Sequence, residues 1–203
     1  MMPPMNIMLA TNNRHKHREF SALFAPAKVR MPEDEQIQFS HEETGSTFHE
    51  NALGKALTLH KLTGLPVLSD DSGLVVPALG DEPGIYSARY GGETLSTEAR
   101  NAYLLSRMEG ITDRRAFFVC SLVLLMDPYR YIAVQETVAG EIMHTLQGTG
   151  GFGYDPLFYL PRKGCSMAEL SEVEKHSLSH RGRAARRLHS CMADLLTKER
   201  EDI

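Results

Sequence analysis

Cysteine is scarce in this chain. Cys120, Cys165 and Cys191 are all it has, an odd number with no C-x₂-C spacing, so neither a disulfide framework nor a structural zinc site is expected and a reducing compartment suits it. Long apolar runs are missing too. The longest, residues 116–126, falls well short of the roughly 20 residues that a bilayer-spanning helix needs. The first six residues carry neither a basic n-region nor an apolar h-region. Together these features predict a cytoplasmic protein with no membrane partner. An excess of positive charge is absent as well: the formal net charge is −4, which argues against a nucleic-acid binder working by bulk electrostatics but leaves room for a local basic pocket. No internal repeat, low-complexity tract or linker interrupts the chain. Residues 1–203 are therefore expected to form a single domain, long enough to bury about two-thirds of its unfolded surface.

What is present reads as mixed α/β. Residues 6–11 look like a short buried strand, followed by a polar turn and a helix with Phe20, Leu23 and Phe24 on its apolar face. A capping box, Thr47 with Glu50, opens a second helix through Ala52, Leu53, Ala56 and Leu57, closed by Gly64 and Pro66. Residues 67–77 read as strand, sharp bend, strand, with Asp70-Asp71-Ser72-Gly73 at the bend. A looser stretch leads to a helix over 96–108. A buried strand over 116–126 turns back at 127–130 into a partner strand over 131–139. A glycine-rich loop at 148–156 and a short strand at 157–160 follow. Ser166 with Glu169 forms a second capping box, and the closing helix over 179–198 has the stripe Ala184, Leu188, Cys191, Met192 and Leu195. The order is not the strict alternation of a doubly wound sheet.

Folding alone does not ask for several polar segments. Thr11-Asn12-Asn13-Arg14-His15-Lys16 lies between a buried strand and a helix, where free N–H groups and a partial positive charge suit phosphate; generic turn chemistry uses similar residues. Asp70 and Asp71 are adjacent carboxylates that repel each other unless a cation or proton sits between them. A hard cation such as Mg²⁺ takes oxygen ligands, and a carboxylate beside it can deprotonate water; the alternative is an exposed Asx-type turn. Glu42 and Glu43 can complete a metal site with Asp71, or simply complement a helix dipole. The loop Gly148-Thr149-Gly150-Gly151-Phe152-Gly153 matches G-x-G-x-x-G as a string. A dinucleotide fingerprint requires a helix to open there, and Pro156 biases Asp155 against that. A walled loop in which Phe152 or Tyr154 stacks on a base stays open. No G-K-[ST] follows, which excludes a Walker loop. Lys175, His180 and Arg181 lie at the entry to the last helix, again a place for anionic or carbonyl groups.

In this order along the chain the segments carry a resemblance. Leu9 to Lys16, Glu42-Glu43-Thr44-Gly45 with Thr47 to Ala52, Lys55-Ala56, Asp70 to Leu74, Pro83 to Tyr90, Gly150 to Pro156 and Ser179 to Gly182 resemble the inosine-triphosphate pyrophosphatase family, also called dITP/XTP pyrophosphatases, in its bacterial branch. The resemblance implies an elongated mixed-sheet α/β fold with two lobes, a cleft between them and a homodimer. It implies hydrolysis of ITP, dITP and XTP to the monophosphate and pyrophosphate, with Mg²⁺ as cofactor. Asp71 would be the general base and a metal ligand, with Glu42, or after it Glu43, as the other metal carboxylate. Thr11, Asn12, Asn13, Arg14, His15 and Lys16 would hold the triphosphate. Ser72, Phe152, Gly153, Tyr154, Asp155, Lys175, His180 and Arg181 would contact the nucleotide, the last two by donating to a purine 6-oxo group. Asn12 departs from the glycine of many relatives. The competing expectations are a related house-cleaning pyrophosphatase for other modified nucleotides and a nucleotide-binding protein without turnover.

Overall fold

The computed structural model describes residues 6–201, with side chains up to residue 193; residues 1–5 and the side chain of Leu195 from the expected stripe lie outside the described part. Seven strands make one sheet in the order β2-β1-β3-β4-β5-β6-β7, where β1 is Asn6–Leu9, β2 Lys28–Arg30, β3 Val67–Val75, β4 Arg115–Asp127, β5 Arg130–Ile142, β6 Phe158–Leu160 and β7 Cys165–Ser166. β1 is parallel to β2 and β3, and β6 is antiparallel to β5 and β7, so the sheet is mixed. The helices are α1 (Arg14–Leu23), α2 (Phe48–Thr63), α3 (Thr97–Arg107), α4 (Glu172–Leu178) and α5 (His180–Glu201).

Contacts gather the chain into two compact units. The first holds the described residues through Asp71, Cys120–Glu136 and those from Arg181 onward; the second holds Ser72–Val119 and Thr137–His180. In the first unit the period-two alternation of strands sorts side chains into two cores. Ile7, Leu9, Leu68, Cys120 and Leu122 pack with Phe20 of α1 and Ala184 and Leu188 of α5. Met8, Ala10, Val67, Val123 and Leu125 pack with Ala52, Ala56 and Leu59 of α2. Each fully buried leucine or phenylalanine in these layers contributes about 1.5–3 kcal/mol. In the second unit Leu74, Leu104, Phe118, Leu157, Phe158 and Met167 form one core.

Most helix boundaries follow from caps. Ser96 accepts from the Ala99 N–H and opens α3, Gly64 closes α2 at φ 66°, and Ser166 and Glu169 form the expected box, opening a single 3₁₀ turn. At α2 Thr47 accepts from the Glu50 N–H as expected, and the Glu50 carboxylate takes the N–H and hydroxyl of Ser46. The expected sharp bend at residues 70–73 is absent. β3 runs unbroken from Val67 to Val75 and is buried along nearly its whole length. Its two aspartates are held by cations within the sheet layers, so the strand has no need to turn them out to water.

Candidate active site

Two clusters of polar side chains stand out, one in each unit, and each begins in ordinary local structure.

In the first unit, β1 ends at a turn whose hydrogen bonds are largely internal. Thr11 Oγ1 accepts from the Asn13 N–H at 3.1 Å, and Asn13 Oδ1 accepts from the N–H groups of His15 and Lys16 at 2.9 and 3.2 Å. Asn13 thereby caps α1, taking up two of the N–H groups that were expected to face phosphate. Asn12 Nδ2 donates to the Phe39 carbonyl at 3.0 Å, a tie that a glycine could not make. The first turn of α1 carries Arg14, His15 and Lys16 and no acidic residue. That is the reverse of what the helix dipole favours, and it is the pattern an anionic ligand rewards. Arg14 is exposed and pairs with Glu33, so the structure turns it away from the cluster. His15 is exposed as well.

Lys16 points inward. Its Nζ lies 3.0 Å from Asp70 Oδ2, Arg181 Nε lies 3.5 Å from the same oxygen, and Arg181 also donates to Glu19. Asp70 is 1 % exposed. Burial alone would raise its pKa, but the charges of Lys16, Arg181 and Lys55 outweigh that and hold it far below the ordinary carboxylate range. Asp71, one residue on, belongs with the opposite face of β3 and meets α2. Its Oδ1 accepts from Lys55 Nζ at 3.1 Å and its Oδ2 from Asn51 Nδ2 at 3.2 Å. Lys55 donates at 2.6 Å to Glu43 as well. The adjacency that threatened repulsion is thus resolved by the pleat, which sends successive side chains to opposite faces, each to its own cation.

Asp71 is 5 % exposed. Burial raises its pKa, Lys55 and Lys16 oppose the rise, and Glu43 and Asp70 add to it. A buried carboxylate with a raised pKa is a proton acceptor poised nearer neutrality than a free aspartate. Of the two glutamates expected to offer a second carboxylate, Glu43 is joined to Asp71 through Lys55, while Glu42 is exposed.

The oxygen donors of Asp71 and Glu43 suit a hard divalent cation. Among the described residues no group of three or more His, Cys, Asp or Glu side chains could hold a metal by itself. The carboxylate pair Asp71 and Glu43 fits Mg²⁺, which is commonly bound through one or two carboxylates and completes its shell with water and substrate phosphate.

In the second unit the glycine-rich loop is wound around Asp155, which is 3 % exposed. Asp155 Oδ2 accepts from the Phe152 N–H and from Lys175 Nζ, both at 2.8 Å. Gly151 sits at φ +70°, and a Cβ there would collide with the Asp155 carboxylate, so this turn needs glycine. Lys175, carried by α4, also lies over the Phe152 ring, 5.0 Å from its centroid. No α-helix opens at the glycines, in keeping with the failed dinucleotide fingerprint. The buried Tyr154 donates its hydroxyl to the Ser87 carbonyl at 3.0 Å, and Asn101 donates to the Gly153 carbonyl at 3.0 Å. Tyr154 is therefore a wall of the loop, and the half-buried Phe152 is the aromatic of the pair with exposed surface. His180 stacks on Phe118 at 4.7 Å between ring centroids and 18° between planes. Ser72 is half-exposed, directly after Asp71.

Sequence reasoning brought out most of both clusters but gave no role to Asn51, Lys55 or Glu19, and treated Asp70 only as half of a carboxylate pair. The available signal was at α2: Asn51 and Lys55 fall at i and i+4 on a face otherwise built from Ala52, Ala56 and Leu59, and buried polar groups on such a face need partners.

Known proteins resemble the chain along nearly its whole length. The sequence profile of the Ham1 family matches residues 7–191. A dITP/XTP pyrophosphatase of Treponema denticola is 49% identical over 183 residues, covering 89% of this chain and 94% of its own. The solved Ham1 protein of Staphylococcus aureus superimposes with a TM-score of 0.82 at 42% identity, covering 93% of this chain and 98% of its own. That of Coxiella burnetii gives 0.85 at 36%, covering 94% and 99%.

Proposed function

The chain belongs to the Ham1 family, and from that premise we infer that it is a nucleoside-triphosphate pyrophosphatase hydrolysing the non-standard purine nucleotides ITP, dITP and XTP to monophosphate and pyrophosphate. The observation that carries the inference is Asp71, a buried carboxylate of raised pKa oriented by Asn51 and Lys55 and coupled through Lys55 to Glu43, in a chain whose relatives are dITP/XTP pyrophosphatases.

In this reading Asp71 accepts the proton of the attacking water, and the new bond forms at the α-phosphorus while pyrophosphate leaves. Lys55 and Asn51 fix the Asp71 carboxylate so that one oxygen is aimed at that water without a rotamer search. Lys16 and the basic first turn of α1 offset charge on the leaving pyrophosphate. Glu43, with Asp71, would hold Mg²⁺, in the role expected of Glu42. Once bound, Mg²⁺ would neutralise phosphate oxygens and lower the pKa of water. Phe152 offers a ring to the base, Asp155 and Lys175 fix that ring's loop, and His180 and Arg181 supply donors that a 6-oxo purine satisfies. A 6-amino group would leave such a donor unpaired at a cost of about 1–3 kcal/mol, which disfavours ATP. A homodimer and a cytoplasmic location belong to the same proposal. Among the described residues no helix is long and apolar enough to cross a membrane.

The test is to incubate the protein with ITP, XTP, dITP, GTP and ATP, with Mg²⁺ or with EDTA, and separate the products. IMP and pyrophosphate, metal-dependent and reduced by about 10²–10⁴-fold in Asp71→Asn, the range that loss of a general base produces, support the reading. IDP and phosphate would place the attack on the wrong phosphorus. Preference for a modified pyrimidine triphosphate would move the chain to another house-cleaning substrate, and binding without turnover would make it a nucleotide-binding protein.

A further inference from the structure

The segment that carries Glu43 is fastened to α2 at both ends. On one side the Gly45 N–H donates to Asn51 Oδ1 at 2.9 Å. On the other, His41 Nδ1 lies 2.8 Å from Thr58 Oγ1. The Thr58 hydroxyl donates its own hydrogen to the Gly54 carbonyl at 2.9 Å, so its oxygen accepts from the ring, and Nδ1 is the protonated nitrogen of His41. Asn51, Lys55 and Thr58 stand at i, i+4 and i+7, one stripe of α2. Between the two fastenings that stripe presents Lys55, whose Nζ holds Glu43 at 2.6 Å.

Gly54 completes the arrangement. It lies in the interior of a 16-residue helix, where glycine costs about 1 kcal/mol relative to alanine. Its backbone is helical, so no turn requires it. What accounts for it is the ring: a Cβ on Gly54 would lie 2.8 Å from His41 Nε2 and 3.0 Å from Cε1. The missing side chain is the seat into which His41 fits.

We propose that His41 is a positioning residue of the cation site, a latch whose ring, seated on Gly54 and hydrogen-bonded to Thr58, holds the acidic segment so that Glu43 faces Lys55 and Asp71. The proposal rests on the reading of Glu43 and Asp71 as the cation-binding pair. It predicts that helix-favouring changes at Gly54 harm the site while stabilising the helix.

Four variants test it: Gly54→Ala, His41→Leu, the double variant, and His41→Asn, whose amide can donate in place of Nδ1. Two readouts are used, neither of them turnover. One is amide hydrogen exchange of residues 41–45, and the other is binding of Mn²⁺ together with a non-hydrolysable α,β-methylene analogue of ITP, followed by the electron paramagnetic resonance of the free ion against the analogue alone. In Gly54→Ala and His41→Leu the segment exchanges about tenfold faster or more while α3 is unchanged, as local opening requires. Each also binds Mn²⁺ about tenfold more weakly, the lower end of what loss of an outer-shell partner costs. The double variant is no weaker than the weaker single one, because both remove the same contact. His41→Asn stays close to the unsubstituted chain, and Gly54→Ala melts no lower than it. Unchanged exchange in Gly54→Ala and His41→Leu overturns the latch, as does faster exchange with undiminished Mn²⁺ affinity. Failure of the unsubstituted chain to bind Mn²⁺ removes the cation-site reading itself, and the proposal with it.

Discussion

Asp70 and Asp71 are neighbours in sequence and opposites in chemistry. Asp70, closed in by Lys16 and Arg181, is locked as an anion; Asp71, buried beside one lysine, is kept nearer to protonation. The separation gives each a test. Lys55 opposes the burial that raises Asp71, so Lys55→Met should move the acid limb of the kcat/KM profile to higher pH; an unmoved limb would mean that Asp71 is not the titrating base. For Asp70 the sign is the other way. Its folded pKa lies below the ordinary 3.8, so the stability it contributes is complete above that value and is lost as pH falls through the folded one. Asp70→Asn leaves Lys16 and Arg181 without their counter-charge and should cost about 3 kcal/mol at pH 7, the scale of a broken buried pair. Urea unfolding should show the gap narrowing below pH 3.8. A gap that does not change with pH would show that the loss is one of packing. At this scale the sequence was legible where a residue type is unusual for its place, as at the paired aspartates or the basic run 14–16. It was not legible where the partner lies far along the chain: nothing local tells that Asp70 meets Arg181, 111 residues away by number, or that Glu43 rather than Glu42 faces Lys55.

Among the elements, those with caps were read best. α2 and α3 begin and end where Thr47, Gly64 and Ser96 direct, since a cap is a local bargain between a side chain and orphan N–H groups. Elements that owe their existence to tertiary pairing were missed. β2 is three residues held by parallel pairing with β1, and β7 is two residues paired with β6; the short α4, opened by a Ser171–Glu174 capping box, was missed as well. The expected bend in β3 failed because turn propensity at Asp-Asp-Ser-Gly was overridden by burial on both faces. The loop around Asp155 makes the element-scale prediction. Gly151→Ala forces a side chain into left-handed backbone against the Asp155 carboxylate and should cost about 1–3 kcal/mol. Because Phe152 and Lys175 are organised on that carboxylate, KM for ITP should rise more than kcat falls. A variant with normal KM would detach this loop from nucleotide binding.

For the molecule as a whole, composition excluded more than it assigned. The α/β class followed from strand and helix order and the mixed sheet from the family resemblance; the order of seven strands followed from neither, because pairing between distant strands leaves no local trace. Function became legible only when several weak segments were taken together in order, each of them ordinary alone. The structure sorts them into two groups: the turn after β1, the aspartates of β3 and the polar stripe of α2 gather in one unit, and the glycine loop with α4 in the other. The account's central claim is that water, deprotonated by Asp71, attacks the α-phosphorus. Hydrolysis of ITP in H₂¹⁸O, with mass spectrometry of both products, tests it most directly. The account predicts one ¹⁸O in the phosphate of IMP and none in pyrophosphate. Label in pyrophosphate would place the attack at the β-phosphorus and contradict the role given to Asp71.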